Sequence, residues 1–127
     1  MSATTPATRI LVVEDEFLIR LTLVEALADE GFDVLEAETG DMALPILQRD
    51  GSIALLLTDI QMPGRLNGRR LAAAARETRP NLPVLFMTGQ PDPVAEAVRS
   101  PLDRYISKPY RLVDICDAVR SMIGLVS

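Results

Sequence analysis

The sequence predicts an α/β domain in which a parallel five-stranded sheet is covered by helices on both sides. Short apolar runs without polar interruption recur along the chain, as strands buried on both faces require. Each is followed by a stretch whose apolar residues return at helical spacing, and parallel strands need such crossovers. The length of 127 residues suits a single domain with its own core.

Residues 1–7 are polar and contain a proline, and a disordered tail is expected there. ILVV (10–13) reads as the first strand. From 17 to 30 a helix is expected, with Phe17, Leu18, Leu21, Val24, Leu27 and Ala28 as its apolar face and Gly31 as its stop. FDVLEA (32–37) is the second strand, and Thr39 is placed to cap a helix running toward Arg49. Pro45 stands inside that helix and is expected to kink or shorten it. IALLLT (53–58) is a third strand, 68–78 an alanine-rich helix, and PVLFMT (83–88) a fourth strand. A short helix fits 93–99, and a short strand fits 104–107. The last helix carries Leu112, Ile115, Cys116, Val119, Met122 and Ile123 on one face before Gly124.

Composition narrows the chemistry. A formal net charge of −5 supplies no basic excess for phosphate neutralisation, so no direct nucleic-acid role is expected. One cysteine rules out a disulfide framework. No apolar run approaches a membrane span or the core of a signal peptide, and a cytoplasmic protein is expected. The chain has no histidine, which excludes catalytic triads and histidine-dependent metal sites. Lys108 is the only lysine beside twelve arginines, and it precedes a proline. A lone lysine in an arginine-rich chain suggests a position that needs a compact charge on a flexible stem.

In parallel sheets ligands bind beyond the carboxyl ends of the strands. There the first strand delivers Glu14, Asp15 and Glu16, the third Asp59, the fourth Thr88, and the fifth Lys108. Clustered carboxylates repel unless a cation lies between them. Oxygen donors alone favour a hard ion, Mg²⁺ first. Such an ion beside a carboxylate, a hydroxyl and an ammonium suits phosphoryl transfer, and a carboxylate can itself be the nucleophile.

Together VVEDE, TDIQMPG, MTG and ISKPY resemble the receiver domain of two-component response regulators, over residues 8–125. The resemblance implies a doubly wound, flavodoxin-like receiver fold. It implies that Asp59 accepts a phosphoryl group from a histidine kinase or histidine phosphotransfer protein. By the same resemblance Glu14, Asp15, Asp59 and the backbone carbonyl of Gln61 hold Mg²⁺, while Thr88 and Lys108 stabilise the phosphoryl group. Thr88 and Tyr105 are the expected switch pair, and the Lys108–Pro109 bond is expected to be cis. Gln61 and Gln90 would face the phosphoryl group, and two amides offer no base for its hydrolysis. Output is expected through a protein partner at the 93–99 helix, the last strand and the last helix. The expected role is that of a phosphoacceptor which assists its own labelling and hydrolysis, not a turnover enzyme.

Two departures from the family pattern stand out. The loop after Asp59 is one residue longer before Gly68 than the usual spacing, and Arg65, Arg69 and Arg70 lie along it. The segment GQPDPVAEAVRSPLDR is short and proline-rich, which leaves the output mode open. No linker to an output domain follows Gly124, so a single-domain regulator is expected. Two alternatives are a non-phosphorylated scaffold, against which the intact set of site residues argues, and an aspartyl-phosphate phosphatase. The latter usually has a second aspartate where Gln61 stands.

Overall fold

The computed structural model describes residues 7–89 and 101–124. In chain order these form β1 (Arg9–Val13), α1 (Phe17–Asp29), β2 (Asp33–Ala37), α2 (Gly40–Arg49), β3 (Ile53–Asp59), α3 (Gly68–Arg76), β4 (Val84–Thr88), β5 (Asp103–Ser107) and α4 (Leu112–Met122). The five strands make one parallel sheet in the order β2-β1-β3-β4-β5. Gln90 and the helix expected over 93–99 lie outside the described residues, as does the expected tail except for Ala7.

Strand order explains the composition of each strand. β1, β3 and β4 are interior and almost wholly buried, which is why each is a continuous apolar run apart from Arg9 at the start of β1 and Thr58, Asp59 and Thr88 at the carboxyl ends. The edge strands DVLEA and DRYIS carry charges and are half exposed. Alternation along the interior strands divides the core into two layers. Leu11, Val13, Leu56, Val84 and Phe86 pack with Leu47 of α2 and Leu71 and Ala75 of α3. Ile10, Val12, Leu57, Leu85 and Met87 pack with Leu23 and Leu27 of α1 and Ile115 and Val119 of α4. Helices therefore cover both faces, and the sheet is doubly wound.

Local signals fix most boundaries. The Thr39 hydroxyl accepts a hydrogen bond from the Met42 amide at 3.1 Å, and Asn67 Oδ1 accepts from the Arg70 amide at 2.9 Å. Gly31 takes φ 96° just past α1. The helix expected over 68–78 ends at Arg76 because the Glu77 and Thr78 amides close tighter i→i−3 bonds to Ala74 and Ala75. Beyond it, Arg76 Nη2 donates to the Leu82 carbonyl at 2.9 Å and to Asp103 Oδ1 at 2.6 Å, tying α3 to the start of β5.

The shortening offered as one outcome for α2 and the inward face expected for α1 require correction. Pro45 does not shorten α2, which continues through it to Arg49. In α1 the buried residues are Arg20, Leu23 and Leu27, whereas Phe17, Leu18 and Leu21 are 61%, 72% and 37% exposed, and Ala28 is exposed as well. The helix FLIRLTLVEALAD is apolar around most of its circumference, so apolar spacing did not single out one face. Hydrogen-bond partners at the sheet edge draw Arg20 inward, and the stripe at 20, 23 and 27 follows it.

Candidate functional site

In this strand order the chain turns to opposite sides after β1 and after β3, which leaves a crevice at their adjoining carboxyl ends. Glu14 and Asp15 leave β1 there, and Asp59 closes β3. Asp59 is held on both oxygens: its Oδ1 accepts from the Gln61 amide at 3.1 Å, and Lys108 Nζ donates to its Oδ2 at 2.6 Å. Lys108 lies within reach because β5 runs beside β4 and its amide donates to the Thr88 carbonyl at 2.7 Å. The Lys108–Pro109 peptide is cis.

Glu14 is buried. Its amide donates to the Ala37 carbonyl at 3.2 Å, and its Oε2 accepts from the Glu16 amide at 3.0 Å. Its Oε1 is buried without a hydrogen bond among the described residues, 3.8 Å from Lys108 Nζ. Burial pushes the Glu14 carboxyl up to about 7, and the Asp15 side chain and the Asp59 charge add to the rise. The Glu16 amide and Lys108 oppose it without cancelling it. Burial also draws the Lys108 ammonium downward, but its bond to Asp59 and the charges of Asp59, Glu14 and Glu16 outweigh that and raise it. Half-buried Tyr110 is pushed up to about 12, first by burial and then by the charges of Glu14 and Asp59.

Carboxylate oxygens of Glu14, Asp15 and Asp59 lie within 4.8 Å of one another. Facing three carboxylates, one ammonium leaves the pocket anionic, and Glu14 Oε1 has an open lone pair aimed into it. An oxygen-only donor set with one orphaned buried acceptor fits a hard divalent cation, Mg²⁺ before any thiophilic metal. Among the described residues this is the one acidic cluster with that spacing.

The remaining expected residues have distinct positions. Thr88 is buried at the end of β4, and Tyr105 pairs across from Phe86 on the same strand pair. Alternation puts Thr88 on the same sheet face as Phe86 and Tyr105, the face covered by α2 and α3. Tyr105 stacks on Phe86 with centroids 4.9 Å apart, and the Arg69 guanidinium carbon lies 5.8 Å from its ring centroid. Arg69 thus belongs to the Tyr105 layer, while Arg65 and Arg70 are exposed. Arg20 was not singled out by the sequence, although it reaches the site's backbone. The available signal was a lone arginine set in the apolar run FLIRLTL, close after the acidic triplet.

The description "response regulator receiver domain" belongs to a family model that matches residues 10–120. The response regulator receiver protein CpdR of Brucella abortus is 36% identical over 119 residues, covering 91% of this chain and 96% of that protein. The response regulator protein FleR of Pseudomonas aeruginosa is 34% identical over 115 residues, and the match spans only 24% of FleR. Among solved structures, a response regulator receiver protein from Sinorhizobium medicae superposes with a TM-score of 0.85 at 27% identity, covering 93% of this chain and 95% of that one.

Proposed function

We propose, from the premise that the chain belongs to the response regulator receiver family, that Asp59 accepts a phosphoryl group from a phosphohistidine and thereby switches a protein-binding surface. The observation that carries this reading is the Asp59 carboxylate. It is buried, gripped by the Gln61 amide and the Lys108 ammonium, and set beside Glu14 and Asp15 at the strand-switch crevice.

In the proposed reaction an Asp59 oxygen attacks phosphorus, and an O–P bond forms as the P–N bond to the donor imidazole breaks. The bonding pair leaves on the imidazole nitrogen, which takes up a proton. Lys108 moves its ammonium from Asp59 Oδ2 to a phosphoryl oxygen, and the Thr88 hydroxyl donates to another. Glu14, Asp15, Asp59 and the Gln61 carbonyl would hold Mg²⁺, which when bound offsets the charge gathered in the crevice. The chain then acts as a phosphoacceptor and not as a turnover enzyme. Gln61 carries no base to activate water, and hydrolysis of the acyl phosphate is expected to be neither unusually fast nor unusually slow. Exchange with a kinase or phosphotransfer protein would occur in the cytoplasm. Among the described residues no helix is long and apolar enough to cross a membrane.

The donor must present its phosphohistidine at this edge, where Phe17, Leu18 and Leu21 of α1 and Leu112 and Val113 of α4 are exposed. These begin the two helices that leave the crevice on one face of the sheet, and they form the apolar docking rim for the donor segment. Leu18→Arg should lower the ratio of labelling by a protein donor to labelling by acetyl phosphate at least about tenfold, the scale of one lost interface anchor. An unchanged ratio would remove α1 from the docking rim.

For output, phosphorylation would shift a pre-existing equilibrium in the Thr88–Tyr105 layer and so reshape the surface around residues 93–99, β5 and α4. Beryllofluoride tests the whole reading. One equivalent should bind in the presence of Mg²⁺ and shift the amide resonances of Asp59, Thr88 and Lys108, with no effect on Asp59→Asn or in EDTA. Identical spectra with and without beryllofluoride would overturn it.

A further inference from the structure

Buried charged side chains are costly unless their hydrogen bonds are met, and among the described residues Arg20 is the one buried basic side chain. Its Nη1 donates at 2.8 Å to the backbone carbonyl of Glu14. Its Nε donates at 2.8 Å to Glu36 Oε1 on β2, and Nη2 lies 3.6 Å from Glu38 Oε1. The ring of Phe17 covers the guanidinium at 5.6 Å from its centroid. The fork therefore spans from the edge strand to the peptide that joins Glu14 to Asp15. On its other side, the Glu14 amide is tied to the Ala37 carbonyl, also of β2.

We infer that Arg20 is a positioning residue for the divalent-cation site, clamping the Glu14–Asp15 peptide against β2 so that both carboxylates converge with that of Asp59. This rests on the cation-dependent reading above. It assigns to Arg20 no contact with the cation or the phosphoryl group. Arg20 touches the main chain of Glu14 and the carboxylate of Glu36, not the three carboxylates of the cluster. A planar fork bonds the Glu14 carbonyl and Glu36 simultaneously in fixed geometry, and a lysine ammonium offers no such two-sided brace.

Two physical roles for this cation have opposite consequences. If Arg20 acted only through its charge, it would repel Mg²⁺, so removing it would tighten binding and Arg20→Lys would change nothing. If it acts by positioning, both Arg20→Lys and Arg20→Met loosen the site.

The test is titration of the metal-free chain with MgCl₂ at constant ionic strength, followed by amide chemical shifts, with thermal midpoints recorded alongside. Outer residues that orient metal ligands typically govern about tenfold or more in affinity. The Mg²⁺ dissociation constant is expected to rise about tenfold in Arg20→Lys and Arg20→Met, and about threefold in Glu36→Gln, which loosens the fork from its far end. Should Arg20→Met fail to fold, the lysine and Glu36 variants decide the matter. Unchanged affinity in Arg20→Lys and Glu36→Gln, or tighter binding in Arg20→Met, would overturn the positioning role while leaving the Mg²⁺ site standing. Absence of Mg²⁺ binding in the wild type would remove the site itself, and the role of Arg20 with it.

Discussion

Replacing Gly68 by alanine is expected to destabilise the protein by about 3 kcal/mol, the upper part of the usual range for overpacking, and to cut phosphoryl acceptance at least about tenfold. Gly68 opens α3, and its amide donates at 3.0 Å to the Ile60 carbonyl. A methyl group there would intrude on the Asp59 carbonyl oxygen and stand 2.9 Å from Ile60 Cα and 3.0 Å from the Asp59 carbonyl carbon. All three are backbone atoms, so the clash is not relieved by a rotamer change. Either α3 lifts away from the sheet, or the end of β3 moves and carries the Asp59 carboxylate off its partners. Gly51 provides the comparison, since an added methyl would meet nothing within 4 Å. Thermal denaturation of the two alanine variants, with acetyl phosphate labelling of each, checks the expectation. A Gly68→Ala protein as stable and as readily labelled as Gly51→Ala would show that the close approach is not a constraint.

The second large effect concerns Glu14 and pH. Its carboxyl is raised from 4.5 to about 7, chiefly by burial. The folded metal-free chain therefore binds this proton more tightly than the unfolded chain. The unfolded state loses it first as pH rises, so folding loses stability from above about pH 4.5 until the folded-state group has also ionised. The full penalty, present above about pH 7, is about 3 kcal/mol. Glu14→Gln keeps an acceptor for the Glu16 amide and removes the charge. In EDTA at about pH 8 the variant should be more stable than wild type by about 2–3 kcal/mol, with the gain fading toward pH 5. Added Mg²⁺ should stabilise the wild type and not the variant. Denaturant unfolding across this range measures the difference, and parallel curves at all pH values would contradict it.

Much of this arrangement is legible in the sequence because interior parallel strands and strand-end polar residues obey strict rules. ILVV, IALLLT and PVLFMT are buried on both faces, so continuous apolar runs located them to within a residue or so. The carboxyl ends of these three strands and of β5 carry the polar residues, and parallel alignment alone gathers Glu14, Asp59, Thr88 and Lys108 at one edge. What was not legible depends on tertiary contacts. The inward face of α1 follows from where Glu36 and the Glu14 carbonyl sit relative to Arg20, which no periodicity in FLIRLTLVEALAD reveals. Continuation of α2 through Pro45 likewise reflects packing of Ala43 and Leu47 against the sheet, which overrides a local penalty. The longer loop after Asp59 is held by a contact that spacing cannot foresee. Asp41 Oδ1, at the start of α2, accepts from the Leu66 amide at 3.0 Å.

The distribution of charge also accounts for the solitary lysine. At 2.6 Å from Asp59 and 3.8 Å from Glu14, Lys108 bridges two buried carboxylates with one point charge on a stem that enters from β5. An arginine would bring a wider, planar group into the same space and meet the two acids in a different geometry.

Intact mass after incubation with acetyl phosphate is the most direct test of the claim that Asp59 is the phosphoacceptor. The wild type should gain one phosphoryl group in the presence of Mg²⁺ and none in EDTA, and Asp59→Asn should gain none under either condition. Labelling that persists in Asp59→Asn, or that proceeds equally well in EDTA, would contradict the account.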